Sequence, residues 1–307
     1  MKKTSAFTTL LLFLTAMIWG FAFVAQVQGV SHIGPYTLNG TRFALGTVSL
    51  LPVVLIFERG RREKAERLRT LRASLLAGTA LFLASTLQQI GIAYTGSAGV
   101  AGFITGLYIV LVPIASFLLF RHKTGWHVLV GAVCAVVGLF LLCYQPGEGF
   151  AFGLGELLLL IGSFFWTAHI LIIDRVAGEL RPLHFAWGQF AVCAVLGLVT
   201  MFLFEEPTWS GIFAAKWAIL YCGVLSVGVA YTLQVIAQRR ADPTFATIVM
   251  STESAFSAIG GVIFGIDSIS AIGYVGCGLI FVGILVSQLP LGRKEKAVNP
   301  EEEKSQY

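Results

Sequence analysis

The sequence predicts an all-α membrane protein of ten transmembrane helices, arranged as two inverted five-helix repeats. Three observations carry this. Hydrophobic residues make up 56% of the 307 positions and charged residues only 12%, with a mean hydropathy of +0.82, whereas a soluble domain carries roughly a quarter charged residues. Apolar runs long enough to cross ~30 Å of hydrocarbon recur along the whole chain. Residues in the first half reappear in the second at a nearly constant spacing.

The spans are expected at 6–28, 35–57, 72–94, 98–120, 125–144, 153–174, 184–204, 214–237, 243–265 and 270–289. They are continuous rather than alternating and far longer than the ~10 residues of a barrel strand, so they are helices. The links Ser31–Gly34, Thr95–Ser97 and Asp267–Ser270 are short, which makes the helices on either side antiparallel neighbours. The first span follows Lys2 and Lys3, but its apolar stretch is too long for a signal peptide and shows no clear A-x-A site, so it reads as retained.

Basic residues orient the spans. Lys2 and Lys3 precede span 1. Arg59, Arg61, Arg62, Lys64, Arg67, Arg69 and Arg72 fill the link after span 2. Arg121 and Lys123 follow span 4, Arg175 and Arg181 span 6, and Arg239 and Arg240 span 8; Arg293, Lys294, Lys296 and Lys304 close the chain. That places 19 of 21 basic residues on one side, leaving Lys216 in an opposite link and Arg42 within a span. The positive-inside rule then puts both termini in the cytoplasm, which requires an even number of spans. The outer links instead hold Glu148, Glu205, Glu206 and Asp267. The net charge of +5 is this topology signal, and no basic stripe interleaved with aromatics points to nucleic acid. The five cysteines lie within apolar spans without CxxC spacing, so buried free thiols are expected. Residues 291–307, with Glu301, Glu302 and Glu303, read as a disordered cytoplasmic tail.

Trp19 matches Trp166, Arg42-Phe43-Ala44 matches Gln189-Phe190-Ala191, and Thr86-Leu87-Gln88 with Ile90 matches Thr232-Leu233-Gln234 with Ile236. Gly131 and Gly138 match Gly276 and Gly283. All four correspondences fall at offsets of 145–147. The repeats are therefore set at 1–145 and 150–290. A five-span unit that starts inside ends outside, so its second copy runs the opposite way, the architecture typical of secondary transporters.

Three stretches resemble the EamA family of the drug/metabolite transporter superfamily: Ala16-Met17-Ile18-Trp19-Gly20-Phe21, Thr105-Gly106-Leu107-Tyr108-Ile109-Val110-Leu111-Val112-Pro113, and Ser254-Ala255-Phe256-Ser257-Ala258. The resemblance covers about residues 5–290, as two domains of the family. It implies a ten-helix carrier of amino acids, metabolites or drugs, with a central cavity lined by spans 1, 3, 4, 6, 8 and 9 and with spans 5 and 10 peripheral. Two positions depart from the family pattern. Ser254 stands where many members have a proline after the span 9 glutamate, which weakens the expectation of a matching helix break there, and Asp267 stands where glutamate is typical.

Glu253 lies near the middle of span 9, where a charge costs ~2.5–3.5 kcal/mol on insertion scales and so must face a cavity or a partner. It suits a proton-coupling or solute-contacting group, or a structural carboxyl bonded to Ser251, Thr252 or backbone. Arg42, about seven residues into span 2, could bind an anionic group or pair with Glu253; the alternatives are snorkelling to the interface or pinning two helices. On span 8, Tyr231, Gln234 and Gln238 share a face, as do Trp19, Phe23 and Gln26 on span 1, Thr105 and Tyr108 on span 4, and Trp166 and His169 on span 6. With Gln88, these aromatic stripes tipped by polar groups suit a cavity for an uncharged, zwitterionic or aromatic solute. Taken singly, each aromatic also suits helix packing or an interfacial belt, and each glutamine an interhelical hydrogen bond. His169 has no second histidine close in sequence, so no metal is expected. Gly99, Gly102 and Gly106 allow close helix approach, and Pro113 can kink span 4 beside the cavity.

The expected function is secondary transport of a small metabolite, amino-acid-like, aromatic or drug-like, by alternating access and in the export direction. A channel or a non-transport receptor or structural protein is the alternative. No HExxH, paired membrane aspartates or serine with a nearby base suggests an enzyme. Expected partners are the solute, the bilayer and protons as coupling ion; no cofactor is expected, and the chain suits a monomer or a homodimer.

Overall fold

The computed structural model describes residues 5–60, 63–120, 126–145, 149–150, 152–176, 178–241 and 243–287. Lys2, Lys3, Arg61, Arg62, Arg121, Lys123, Glu148 and the tail 291–307 lie outside the described residues. The described residues form helices joined by short links, apart from a two-residue pairing of Tyr144–Gln145 with Gly149–Phe150. Among the described residues, seven helical runs are long and apolar enough to cross a membrane, counting Ala98–Leu119 and Lys216–Gln238 each as one run.

Helix α1 (Ala6–Val30) starts at Ser5, whose hydroxyl accepts from Thr8 N. Helix α2 (Pro35–Phe57) begins with proline at its first position, where the missing N–H costs nothing. Helix α3 (Lys64–Thr95) has 32 residues, about 48 Å at 1.5 Å per residue, which exceeds the hydrocarbon thickness. The expected span 72–94 therefore starts earlier: Lys64, Arg67, Arg69 and Arg72 extend the helix rather than fill a link. Gly96, at φ 62°, ends it.

Span 4 is not one helix. It divides into α4 (Ala98–Thr105) and α5 (Tyr108–Phe120) at Gly106-Leu107, while Pro113 sits inside α5 and does not mark the break. Around the break the bonds tighten to i→i+3, as in Ile109 N to Gly106 O and Val110 N to Leu107 O. Helix α6 (Trp126–Cys143) follows, then α7 (Leu154–Val176), α8 (Pro182–Phe204), a short α9 (Trp209–Ala214) and α10 (Lys216–Leu220). From Tyr221 to Tyr231 the helix is π-wound, and it returns to α geometry in α11 (Thr232–Gln238).

Span 9 is also divided, into α12 (Pro243–Met250) and α13 (Thr252–Ile263), which corrects the expectation of a continuous helix over 243–265. The break at Ser251 occurs without a proline after Glu253. It again closes with an i→i+3 bond, Ser254 N to Ser251 O. The two broken helices touch: the Ser254 hydroxyl donates to Gly102 O at 2.9 Å. Helix α14 (Ala271–Ser287) packs on α6, where a Cβ at Gly138 would lie 2.6 Å from Gly276 O.

Helices α2 and α8 cap one another. Glu205, just past α8, accepts from Tyr36 N (3.0 Å), Thr37 N (2.7 Å) and the Thr37 hydroxyl (2.5 Å) at the start of α2. Glu58, just past α2, accepts from Leu183 N (3.0 Å) and His184 N (2.9 Å) and pairs with His184 Nδ1 (2.6 Å) at the start of α8. Free N–H groups at a helix start favour a carboxylate. At the end of the bundle that holds Glu205, Asp267 caps α4 by accepting from Ala98 N (3.1 Å) and Gly99 N (2.6 Å).

The distribution of polarity is that of a protein in lipid. Phe57, Phe202, Leu203 and Phe204 are exposed, whereas Asn39, Arg42, Gln88, Gln189 and Glu253 are buried. Cys193, Cys222 and Cys277 are buried free thiols; Cys134 is only half-buried, and the Cys143 side chain lies outside the described set.

Candidate functional site

Helices from both halves of the chain enclose one cavity. Helix α1 contributes Trp19, Ala22, Phe23 and Gln26; α2 contributes Arg42; α3, α4 and α5 contribute Gln88, Thr105 and Tyr108. From the second half come Trp166 and Ile170 on α7, Ser226 and Tyr231 on the π-wound stretch, Gln234 on α11 and Glu253 on α13. The free volume is about 30 Å³, room for a water or two. A larger solute enters only if the walls part.

Tyr231 is the aromatic hub. Its ring centroid lies 4.6 Å from Trp19 and 6.0 Å from Trp166, the latter stacked at 16°. Phe43 and Phe190 flank it at 6.3 and 5.9 Å. The Trp19 indole donates to Ser226 O at 3.4 Å, tying α1 to the π-wound stretch. Gln88 donates to the Thr105 hydroxyl at 3.2 Å, just before the break in α4/α5.

Several buried polar atoms on the wall have no hydrogen-bond partner among the described residues: Gln26 Oε1, Gln234 Oε1, Trp166 Nε1, Tyr108 OH and Glu253 Oε1. Unsatisfied polar atoms are costly inside a protein, and here they converge on one small space. Tyr108 is near enough to Glu253 to interact electrostatically, short of a well-formed hydrogen bond. Glu253 lies in the first turn of α13, next to the break at Ser251. Among the described residues no ion pair joins Arg42 to Glu253; the pairs present are Arg181 with Glu66 and His184 with Glu58.

Two sequence candidates are directed elsewhere. His169 is fully buried and its Nε2 meets Gln189 Oε1 at 2.8 Å, a contact between α7 and α8, while its ring stands edge-on behind Trp166 and Tyr231 without itself lining the cavity. Gln238 is buried at the end of α11, also outside the lining. Sequence reading missed Ser226, because a face drawn at 3.6 residues per turn does not follow a π-wound helix. It also missed Asn39, which is fully buried and holds Arg42; a polar residue three positions before a buried arginine is the signal that was available.

Comparison with known proteins follows the same division of the chain. The model of the EamA-like transporter family matches residues 6–144 and, a second time, 153–288. A protein of Archaeoglobus fulgidus named an uncharacterized transporter is 26% identical over 280 residues, covering 90% of this chain and 84% of its own. The threonine/homoserine exporter RhtA of Escherichia coli strain K12 is 28% identical over 173 residues, 54% of this chain and 56% of its own. A protein of known crystal structure, 21% identical, shares the fold with a TM-score of 0.71 over 93% of this chain and 97% of its own.

Proposed function

This chain belongs to the EamA-like transporter family, and from that premise we propose that it carries a small solute across the cytoplasmic membrane by alternating access. The observation that carries the reading is the cavity itself, walled by α1–α5 on one side and by α7 to α13 on the other, and narrowed to a free volume of about 30 Å³. Two bundles that meet at such a waist expose it to one side of the membrane at a time by tilting against each other.

The architecture proposed is ten spans in two inverted repeats, 1–145 and 150–290, followed by a cytoplasmic tail at 291–307, with both termini inside. The breaks at Gly106 and Ser251 and the mutual capping of α2 and α8 support it, since each feature has a counterpart in the other half. With this orientation Glu205 and Asp267 lie at the outer end and Glu58 at the cytoplasmic end. Similarity to a threonine/homoserine exporter supports export and an amino-acid-like solute. The site comprises the aromatic hub, the glutamines and Glu253. Glu253 is the coupling group: a carboxyl with a free oxygen facing the cavity takes up and releases a proton as the two sides alternate.

Counterflow in proteoliposomes tests the transport reading. Preloaded amino acids should drive saturable uptake of labelled amino acid against its own gradient. Non-saturable flux would make the protein a channel, and no flux with any amino acid would overturn the reading.

A further inference from the structure

We propose that Arg42 anchors a carboxylate of the transported solute and that Asn39 is the positioning residue that aims it; the proposal deepens the transport reading above and rests on it. Arg42 is 3% exposed and lines the cavity, so it does not snorkel to the membrane surface. Its tie to another helix is the thiol of Cys222, a weak acceptor and no counter-ion. Its Nε and Nη2 donate, at 3.1 and 2.9 Å, to a single acceptor, Asn39 Oδ1, one turn earlier on the same helix. Its other close neighbours are the Phe43 ring, 5.2 Å from the guanidinium carbon, and the Cys222 thiol on the π-wound stretch. All three groups are neutral, and among the described residues no carboxylate forms an ion pair with Arg42. A buried charge without a counter-ion is expensive. Its retention on a cavity wall is accounted for if the solute supplies the opposite charge, and the flat fork of a guanidinium matches a carboxylate.

The aim of the fork is set from α3. Asn39 Nδ2 donates to Thr86 Oγ1 at 3.0 Å and Ser85 Oγ at 3.3 Å, so its amide nitrogen is engaged and its oxygen is left for the guanidinium. All three of Asn39, Arg42 and Ser85 are buried. The counterpart of Arg42 in the second half is Gln189, which bonds His169 and does not line the cavity. Among the described residues that line the cavity, the cationic end is Arg42 of α2.

Binding to the purified full-length protein in detergent tests this with matched acid and amide pairs, read by calorimetry. The pairs are L-threonine and L-threoninamide, L-tryptophan and L-tryptophanamide, and succinate and succinamide. Wild type should prefer the acid of at least one pair by about 10- to 100-fold, the value of a charge-assisted hydrogen bond. Asn39→Asp, similar in size but supplying a carboxylate to the guanidinium, should erase the preference, as should Arg42→Gln, while Arg42→Lys keeps part of it. A merely structural role would change stability without touching the ratio of acid to amide. Equal binding of acids and amides by wild type, no binding of any member, or a preference that survives Asn39→Asp would overturn the proposal. Acid preference without saturable counterflow would sink the transport reading and spare the anchor; saturable counterflow without acid preference would do the reverse.

Discussion

Glu58 and Glu205 make the same contact in opposite directions: each ends one of α2 and α8, and each carboxylate accepts from the first free N–H groups of the other. The two helices are thereby clamped at both membrane faces. Glu58→Ala and Glu205→Ala should each destabilise the protein by about 1–2 kcal/mol, the worth of a lost cap in a partly buried setting. Thermal unfolding in detergent measures this, and melting temperatures equal to wild type would mean the caps contribute nothing.

Glu253→Gln removes the proton but keeps the shape of the side chain. Uptake driven by a pH gradient should disappear, while exchange of solute at equal pH on both sides continues. Proteoliposome assays with and without the gradient separate these, and undiminished pH-driven uptake in the variant would exclude Glu253 as the coupling group.

Gly20 lies where α1 crosses α13. A Cβ added there would overlap Phe256 Cβ and approach the Glu253 carbonyl oxygen to 2.7 Å. Gly20→Ala should cost about 1–3 kcal/mol through overpacking. Gly278 on α14 has nothing within 4 Å of the same position, so Gly278→Ala should stay within about 0.5 kcal/mol of wild type. Parallel melting curves of the two variants check the contrast.

Asp267 holds the start of α4, the outer end in the orientation proposed above, by two backbone bonds. Asp267→Ala should loosen that end, so Thr105→Cys, placed on the cavity wall, reacts several-fold faster with a membrane-impermeant maleimide added outside. An unchanged labelling rate would show that the cap does not restrain outer access.

Much of this was legible in the sequence, for a plain reason. Burial in lipid is dictated by composition, so α2 runs over Pro35–Phe57 where the apolar stretch 35–57 places a span. Aromatic and amide side chains too costly to face lipid turned inward, and Trp19, Gln88, Trp166, Tyr231 and Gln234 meet on one wall. The rest depends on contacts between distant segments. The break at Ser251 has no proline to announce it, and the π-wound turns shift the face on which Ser226 emerges. His169 prefers a partner on α8 that no spacing within α7 reveals. Glu58 and Glu205 read as loop charges until the helix starts they serve are known.

The narrowness of the waist has a bearing on the cell that houses it. A continuous file of water across the bilayer would let protons hop down their gradient and run it down. Room for one or two molecules, ringed by Trp19, Trp166 and Tyr231, interrupts such a file. In that state the protein is expected to conduct few protons.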